Sequence, residues 1–363
     1  MSNKAQAIIL VGGQGTRLRP LTSDTPKPML PIGGVPVIEH QIYKLKDAGI
    51  NRIILGTSFK AEIFSSYFGD GSKLGVELVY AFESEPLGTG GAIRNAGKFL
   101  TNGKNDPVVV LNGDIMSNLN IKNMVDFWIT KKADVGLYLT TVENPRAFGL
   151  VPTDEDGNVL AFLEKPKTEK EIITNQINAG CYIFKHSIID TIDDTRPVSV
   201  EVETFPRLLD EQAKVVGYVD DCYWLDLGTP MSFVNGSIDF VRGKVVSSAY
   251  IHLGSDSLVA PSAFIADTAS VSDGSFIDSG AVVKNGAKIK GSAIFKGAII
   301  AEDVEITNSI VGAHAVIAQG TVLDGVIVGN RAWVGAENEL LNGARVWIDA
   351  TLPDKSVRFS GDK

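Results

Sequence analysis

Short apolar runs and helical periodicities alternate along the first 245 or so residues. "AQAIILV" (Ala5–Val11) is a continuous apolar run of strand length, the pattern of a strand buried on both faces. Ile38, Ile42, Leu45 and Ala48 then recur at helical spacing, with Gly49 placed to end that helix. "RIILGTS" (Arg52–Ser58) reads as a second strand, Ala61–Phe68 as a helix and "VELVYAF" (Val76–Phe82) as a third strand. A helix opens at "GTGGAIRNAGKFL", and "PVVVLNGD" (Pro107–Asp114) is a fourth strand. Val135–Thr141, Val159–Glu164 and Ala179–Lys185 read as later strands. This alternation predicts an α/β fold, a Rossmann-like and mostly parallel sheet covered by helices. Ligands in such sheets bind beyond the carboxyl ends of the strands, where the loop after Val11 and the pair Gly113-Asp114 both fall.

The period changes near residue 250. Val259, Ile265, Val271, Ile277, Val283 and Ile289 are apolar positions six residues apart. The register resumes at Ile294, Ile300 and Ile306, again at Val311, Ile317 and Leu323, and again at Val328, Val334, Leu340 and Val346. Each break is a five-residue step, which gives a 17-residue repeat, and Ala, Gly and Ser crowd the positions between. This is the hexapeptide pattern of a left-handed parallel β-helix, in which each apolar residue points into a triangular core. "PMSFVNGSIDFVRGK" looks like a connecting helix that starts at Pro230. The expected division is therefore a catalytic domain over 1–245 and a β-helix over 246–363. Exposed coil ends and a flat face want covering, so a homo-oligomer formed through the β-helix is expected.

Composition narrows the class without changing the architecture. The 363 residues are 44% hydrophobic and 21% charged, with a net charge of -9, which argues against a nucleic-acid or anionic-membrane surface. The apolar stretch in "MSNKAQAIILVGG" runs straight into a glycine loop and reads as a strand rather than a signal peptide. No apolar run approaches the roughly 20 residues of a membrane span. Two cysteines, Cys181 and Cys222, supply neither a disulfide framework nor a zinc site. The chain reads as cytoplasmic.

Candidate chemistry concentrates in "LVGGQGTRLRPLT" (Leu10–Thr22). It is not a P-loop, since no lysine follows Gly15, and not a dinucleotide fingerprint, since Leu18 stands where the third glycine belongs. Glycines nonetheless let backbone N–H groups approach phosphate oxygens closely. Arg17 and Arg19 add guanidinium donors, although Arg19 could equally pair with a local carboxylate. Pro26 and Pro28 stiffen the backbone on either side of Lys27, which suits a phosphate ligand.

"GGQGTRLRPLTSDTPKPMLPIGG" resembles the signature of the sugar-1-phosphate nucleotidylyltransferases, G-G-x-G-T-R-L-x-P-x-T followed by P-K-P. "EPLGTGGA", "LNGD", "FGLV", "FLEKP", "NAGCYIF" and "WLDLGTP" look like that family's remaining motifs, in its order. The resemblance spans essentially the whole chain. With the hexapeptide tail, it is most similar to the mannose-1-phosphate guanylyltransferase branch, in bacterial forms of actinobacterial type. The implied reaction joins GTP and mannose-1-phosphate into GDP-mannose, with release of pyrophosphate. A phosphate nucleophile is already anionic at pH 7, so the site needs cations and metal-binding carboxylates rather than a general base. The four histidines, His40, His186, His252 and His314, accordingly read as structural or surface residues, and Cys181 as a small core residue.

By this resemblance Leu10, Gly12, Gly13, Gly15 and Thr16 would shape the nucleotide-phosphate contacts. Arg17 would bind the leaving β- and γ-phosphates, and Lys27 the phosphates at the transfer centre. Asp114 and Asp226 would hold Mg²⁺, with Asp114 also beside the sugar; hard oxygen ligands with few protein contacts suit that ion. Lys165 would grip the sugar phosphate and the α-phosphate. Glu164 and Asn178 would bond sugar hydroxyls, and Gly149 would let the ring lie on the backbone. Glu83 would read the base, since one carboxylate can accept the adjacent N1–H and N2–H₂ of guanine; Glu85 competes for that role, and Gly88 would present backbone to the base. The alternatives are the same chemistry with glucose- or heptose-1-phosphate or another triphosphate, and a catalytically inactive regulatory relative. Such relatives tend to lose the arginine, the lysines or the metal aspartates, all present here. The hexapeptide coils alone would also suit an acyltransferase, for which His314 is the one candidate base.

Overall fold

The computed structural model describes residues 4–358 and divides into two compact units that interleave along the chain. One unit comprises the residues up to Gly13 together with Gln41–Trp224; the other comprises Gln14–His40 and the residues from Leu225 onward.

The first unit is built on a nine-stranded sheet. One side of it, out to the edge, is a parallel block in the order Pro107–Asn112, Gln6–Leu10, Arg52–Thr57, Glu77–Phe82. The first three are short β-branched and leucine-rich runs because both faces are buried: Ala7, Ile8, Ile9, Ile53, Ile54, Val108, Val109 and Val110 are all inaccessible, whereas the edge strand Glu77–Phe82 is only partly covered. The helices Val37–Asp47, Ala61–Phe68 and Gly88–Gly97 stand where the spacing predicts them. Gly49, at φ 80°, turns the chain after the first of them.

Beyond Pro107–Asn112 the sheet is not parallel. Gln176–Lys185 runs antiparallel both to that strand and to Val135–Thr141, which in turn pairs in parallel with Val215–Val219. The sheet is thus mixed, with its parallel part where the ligand-binding edge was expected. The strand expected over Val159–Glu164 shrinks to Leu163–Glu164, with Val159 making one isolated bridge to Thr153. Leu160 is exposed, so the run lacks the buried face that would extend the ladder. The aromatic rings of Tyr182, Phe184 and Phe205 stack at the centre of the core.

In the second unit all sixteen hexapeptide positions lie in strands and in one continuous core. They form three parallel ladders: Val259–Ile277–Ile294–Val311–Val328–Val346; Ile265–Val283–Ile300–Ile317–Val334, closed by Leu352; and Val271–Ile289–Ile306–Leu323–Leu340. The domain is the left-handed parallel β-helix that the spacing predicts. One corner of the β-helix carries a hydrogen-bond column that apolar spacing does not reveal. There the buried hydroxyls of Ser275, Ser292 and Ser309 accept the backbone N–H of Ser292, Ser309 and Val326 at 3.1, 3.0 and 2.9 Å. Each hydroxyl in turn donates to a carbonyl two or three residues earlier.

The helix Pro230–Val241 starts at a reciprocal cap between Thr229 and Ser232, as its opening Pro230 suggests. It packs in this unit with Gln14–His40, although that segment is close in sequence to the first strand. The turn Gly33-Gly34, with φ 60° and 80°, joins the two-residue strands Pro31–Ile32 and Val35–Pro36. A Cβ on Gly33 would fall 2.1 Å from the Phe240 ring, so glycine is required there by space as well as by φ. His40 bonds Ser247 Oγ and the Ile32 carbonyl at 2.7 and 3.0 Å.

Candidate active site

In the first unit Leu10, Thr57, Phe82 and Asn112 end their parallel strands at one edge, and each is followed by a residue type that chemistry can use. Ser58 Oγ donates to the Gly12 carbonyl at 2.6 Å, and a Cβ on Gly12 would meet that hydroxyl at 2.7 Å. Nothing crowds Gly13, whose backbone is exposed. The Gly113 N–H donates to the Leu10 carbonyl at 2.9 Å, and a Cβ on Gly113 would lie 2.5 Å from that oxygen, so the turn that presents Asp114 admits no side chain.

The helix behind that turn holds it from both sides. Gln41 Nε2 donates to the carbonyls of Asn112 and Ile115 at 2.8 and 2.9 Å, bracketing Gly113-Asp114. One turn further on, Lys44 Nζ bonds the Ser117 carbonyl and hydroxyl. Burial brings its pKa down to about 8. Sequence reasoning missed this pair; polar residues at i and i+3 on a buried helix face were the available signal.

Glu83 follows the third strand and is buried, its N–H on the Thr57 carbonyl and its Oε2 accepting from the Leu87 N–H at 3.3 Å. Burial raises its pKa above the ordinary carboxylate value, against the smaller opposing pull of the Leu87 N–H. Glu85 is exposed. Gly88, at φ 73°, opens the next helix so close to the Val198 carbonyl that a Cβ would lie 2.5 Å from it.

Gly149 and Glu164 face each other across the two-strand pairing Gly149–Leu150 with Leu163–Glu164. A Cβ on Gly149 would sit 2.7 Å from Glu164 Oε2, so that glycine admits the carboxylate. Lys165 is exposed, has φ 46°, and its Nζ lies 3.0 Å from Glu164 Oε1. Asn178 stands where the Gln176–Lys185 strand bulges: Nδ2 donates to the Tyr182 hydroxyl at 2.9 Å and Oδ1 accepts from the Gly180 N–H at 3.1 Å.

The second unit gathers the charged signature residues. Gly15, at φ 59°, starts the short turn Thr16–Leu18, and a Cβ there would meet the Lys27 side chain at 2.9 Å. Thr22 Oγ1 fastens the Gly15 carbonyl at 2.8 Å. Thr16 and Arg17 are exposed, whereas Lys27 is buried with Nζ 3.6 Å from Asp226 Oδ1. Gly228, two residues after Asp226, makes room for this cluster. A Cβ on it would lie 2.6 Å from Arg17 Nη2 and 2.9 and 3.0 Å from the Asp226 oxygens. Arg17 and Asp226 therefore meet beside one glycine, with Lys27 reaching the same carboxylate; "WLDLGTP" contains that glycine, but sequence reasoning assigned it no role. Arg19 Nη2 lies 3.5 Å from Gln14 Oε1.

Asp114 lies in the first unit and Asp226 in the second, and each carboxylate is a hard oxygen donor of the kind a divalent cation such as Mg²⁺ takes. Among the described residues no three His, Cys, Asp or Glu side chains converge. The buried Cys181 thiol is pushed up to about 12 by desolvation, against a weaker pull from Lys44, and is inert as a nucleophile at neutral pH. His186 is tied to the Asn102 carbonyl, and His314 stands exposed in a β-helix turn at φ 58°.

Residues 6–242 match the family model described as nucleotidyl transferase, and 253–360 match the model of the GMPPB C-terminal domain. The chain belongs to the nucleotidyl transferase family. A mannose-1-phosphate guanylyltransferase of Mycobacterium tuberculosis is 45% identical to it over 397 aligned positions that cover 99% of both proteins. The catalytic subunit beta of the Drosophila melanogaster enzyme of that name is 37% identical, covering 99% of this chain and 96% of its own length. Among solved structures, HddC from Yersinia pseudotuberculosis, crystallised with GMP-PN, superposes with a TM-score of 0.55 at 30% identity, over 65% of this chain and 99% of its own. Nucleotidyl transferases of this kind generally use a divalent metal. No helix among the described residues is long and apolar enough to cross a membrane.

Proposed function

We propose that this nucleotidyl transferase transfers GMP from GTP to mannose-1-phosphate, giving GDP-mannose and pyrophosphate. The observation that carries the reading is the meeting of Arg17 and Asp226 beside Gly228, with Lys27 on the same carboxylate, charges arranged for polyphosphate rather than for a neutral substrate. Full-length similarity to relatives named for this reaction supports it.

In this reading the sugar phosphate attacks the α-phosphorus in line and pyrophosphate leaves. Gly12, Gly13 and Gly15 bring backbone N–H groups to the triphosphate. Arg17, exposed and fork-shaped, takes the β- and γ-phosphates and stabilises the charge that grows on the leaving group. Lys27, buried and held toward Asp226, places its charge at the transfer centre. Lys165 aligns the sugar phosphate with the α-phosphate, two anions that repel without it. Glu164 and Asn178 take sugar hydroxyls, with the ring over Gly149. Glu83, buried at the strand edge, accepts from guanine N1–H and N2–H₂, and Gly88 lies beside the base. Asp114 and Asp226 are the carboxylates for Mg²⁺, which when bound offsets phosphate charge and orients the reacting oxygens. We further assign a cytoplasmic location, a homo-oligomer formed through the β-helix, and a division into a catalytic region over 1–245 and a β-helix over 246–363.

The test is pyrophosphate release with Mg²⁺, crossing GTP, ATP, UTP and dTTP with mannose-1-phosphate and glucose-1-phosphate. GTP with mannose-1-phosphate should exceed every other pair. Preference for another pair overturns the base and sugar assignments and keeps the mechanism. Absence of turnover with all pairs, from folded protein, overturns the reading.

A further inference from the structure

The segment that carries Arg17 and Lys27 contains only three-residue turns and a two-residue strand pair, whose hydrogen bonds are local and fix each turn rather than the place of the turns on the unit. Within the second unit it is held at two points by the last coils of the β-helix. Asn330 Nδ2 donates to both oxygens of Asp24, at 3.0 and 3.2 Å, and both Nη atoms of Arg331 lie 3.4 Å from Asp24 Oδ2. Arg345 Nη1 donates to the Arg19 carbonyl at 2.8 Å. The anchors at 19 and 24 thus lie between the two cations at 17 and 27.

The donors are themselves held in place. Asn330 Oδ1 accepts the Ala313 N–H at 2.9 Å from the preceding coil, which fixes the amide with its NH₂ toward Asp24. Asp349, on the following coil, grips Arg331 through Nε and Nη2 at 2.7 and 3.0 Å. Arg345 ends the outward column Phe276–Ala293–Ile310–Ile327, whose other members are buried. Three successive coils therefore build one cradle for a single carboxylate and a single carbonyl. A surface ion pair formed by chance would not have both its donors, Asn330 and Arg331, held by neighbouring coils.

We propose that Asp24, Asn330, Arg331 and Arg345 are positioning residues, a latch by which the β-helix sets the geometry of Arg17 and Lys27 toward pyrophosphate. Its activity arm rests on the function proposed above; its structural arm does not. The latch gives the β-helix a part in catalysis besides assembly, since small displacements of aligned cations are costly in rate.

The test compares wild-type full-length protein with Asp24→Asn, Arg331→Gln and Arg331→Lys. Lys288→Gln, which breaks a β-helix pair with Glu305, is the control. Kinetics are measured in both directions and amide hydrogen exchange is followed by mass spectrometry. We expect Asp24→Asn and Arg331→Gln to lower kcat/KM for GTP, and to raise KM for pyrophosphate, by about tenfold. KM for mannose-1-phosphate should stay at its wild-type value, Arg331→Lys should recover part of the loss, and Lys288→Gln should change nothing. Exchange should quicken across residues 14–30 and stay slow in the core strands of the β-helix. Wild-type kinetics with wild-type exchange in 14–30 would overturn the latch. So would an equal loss for both substrates with faster exchange throughout the β-helix, which marks a merely structural role. If the wild type itself does not turn over GTP, the proposed reaction falls, and exchange in 14–30 alone decides the latch.

Discussion

Glu83 shows how one buried side chain can serve both selectivity and pH response. Its burial favours the protonated acid, so its folded pKa lies above the ordinary 4.5. The sign for stability follows. The contribution is present below 4.5 and is lost as pH rises through the folded value, so an ionised Glu83 costs stability at neutral pH unless a ligand donates to it. For catalysis, kcat/KM for GTP should fall on the acid side at a pH above that of an ordinary carboxylate, as Glu83 protonates and loses an acceptor. Glu83→Gln should cut GTP preference over the other triphosphates roughly 10- to 100-fold and remove that acid limb. A pH profile and base preference unchanged in Glu83→Gln would exclude it as the base reader and turn attention to Glu85. That both acids precede "PLGT" was legible in the sequence; that one is buried and the other exposed was not, since both residues have the same composition around them.

At the scale of elements, periodic segments were read closely and irregular ones were not. The helix Ala61–Phe68 and the strand Val135–Thr141 have the bounds that their patterns predict, because the helix buries one continuous face and the strand is buried on both. The antiparallel course of Gln176–Lys185 was invisible, since a strand buried on both faces carries the same apolar run in either direction. The serine corner of the β-helix falls between these cases: the hexapeptide register is plain in the sequence, and the column of hydroxyl-to-backbone bonds along that corner is not. Ser292→Ala should leave the buried Ser309 N–H without its acceptor and destabilise the β-helix by about 1–3 kcal/mol. The midpoint of its urea transition measures this, and a midpoint equal to wild type would show that the corner does not depend on the hydroxyl.

For the whole molecule, the β-helix presents outward columns of different character. On one face the outward residues are Phe264, Val282, Ile299, Val316, Trp333 and Thr351, an uncharged ladder with Phe264 58% and Trp333 48% exposed. On another they are Ser270, Lys288, Glu305, Val322 and Glu339, which suits solvent. The homo-oligomer proposed above is expected to form through the uncharged ladder, because like columns would meet there without buried charge. Light scattering should give the wild type a mass above that of one chain, reduced in Ile299→Glu/Trp333→Glu. A double variant of unchanged mass would place assembly elsewhere. Sequence alone determined the two architectures and the motif residues, since hydrophobic period sets which faces are buried and the phosphate chemistry demands particular side chains at close spacing. Only the tertiary structure decided which distant residues meet. Gln14–His40 joins the β-helix unit rather than the sheet that precedes it, Gly228 brings Arg17 to Asp226, and Asp24 finds Asn330 and Arg331. Those contacts depend on the packing of segments some 200 to 300 residues apart, about which no local pattern carries information.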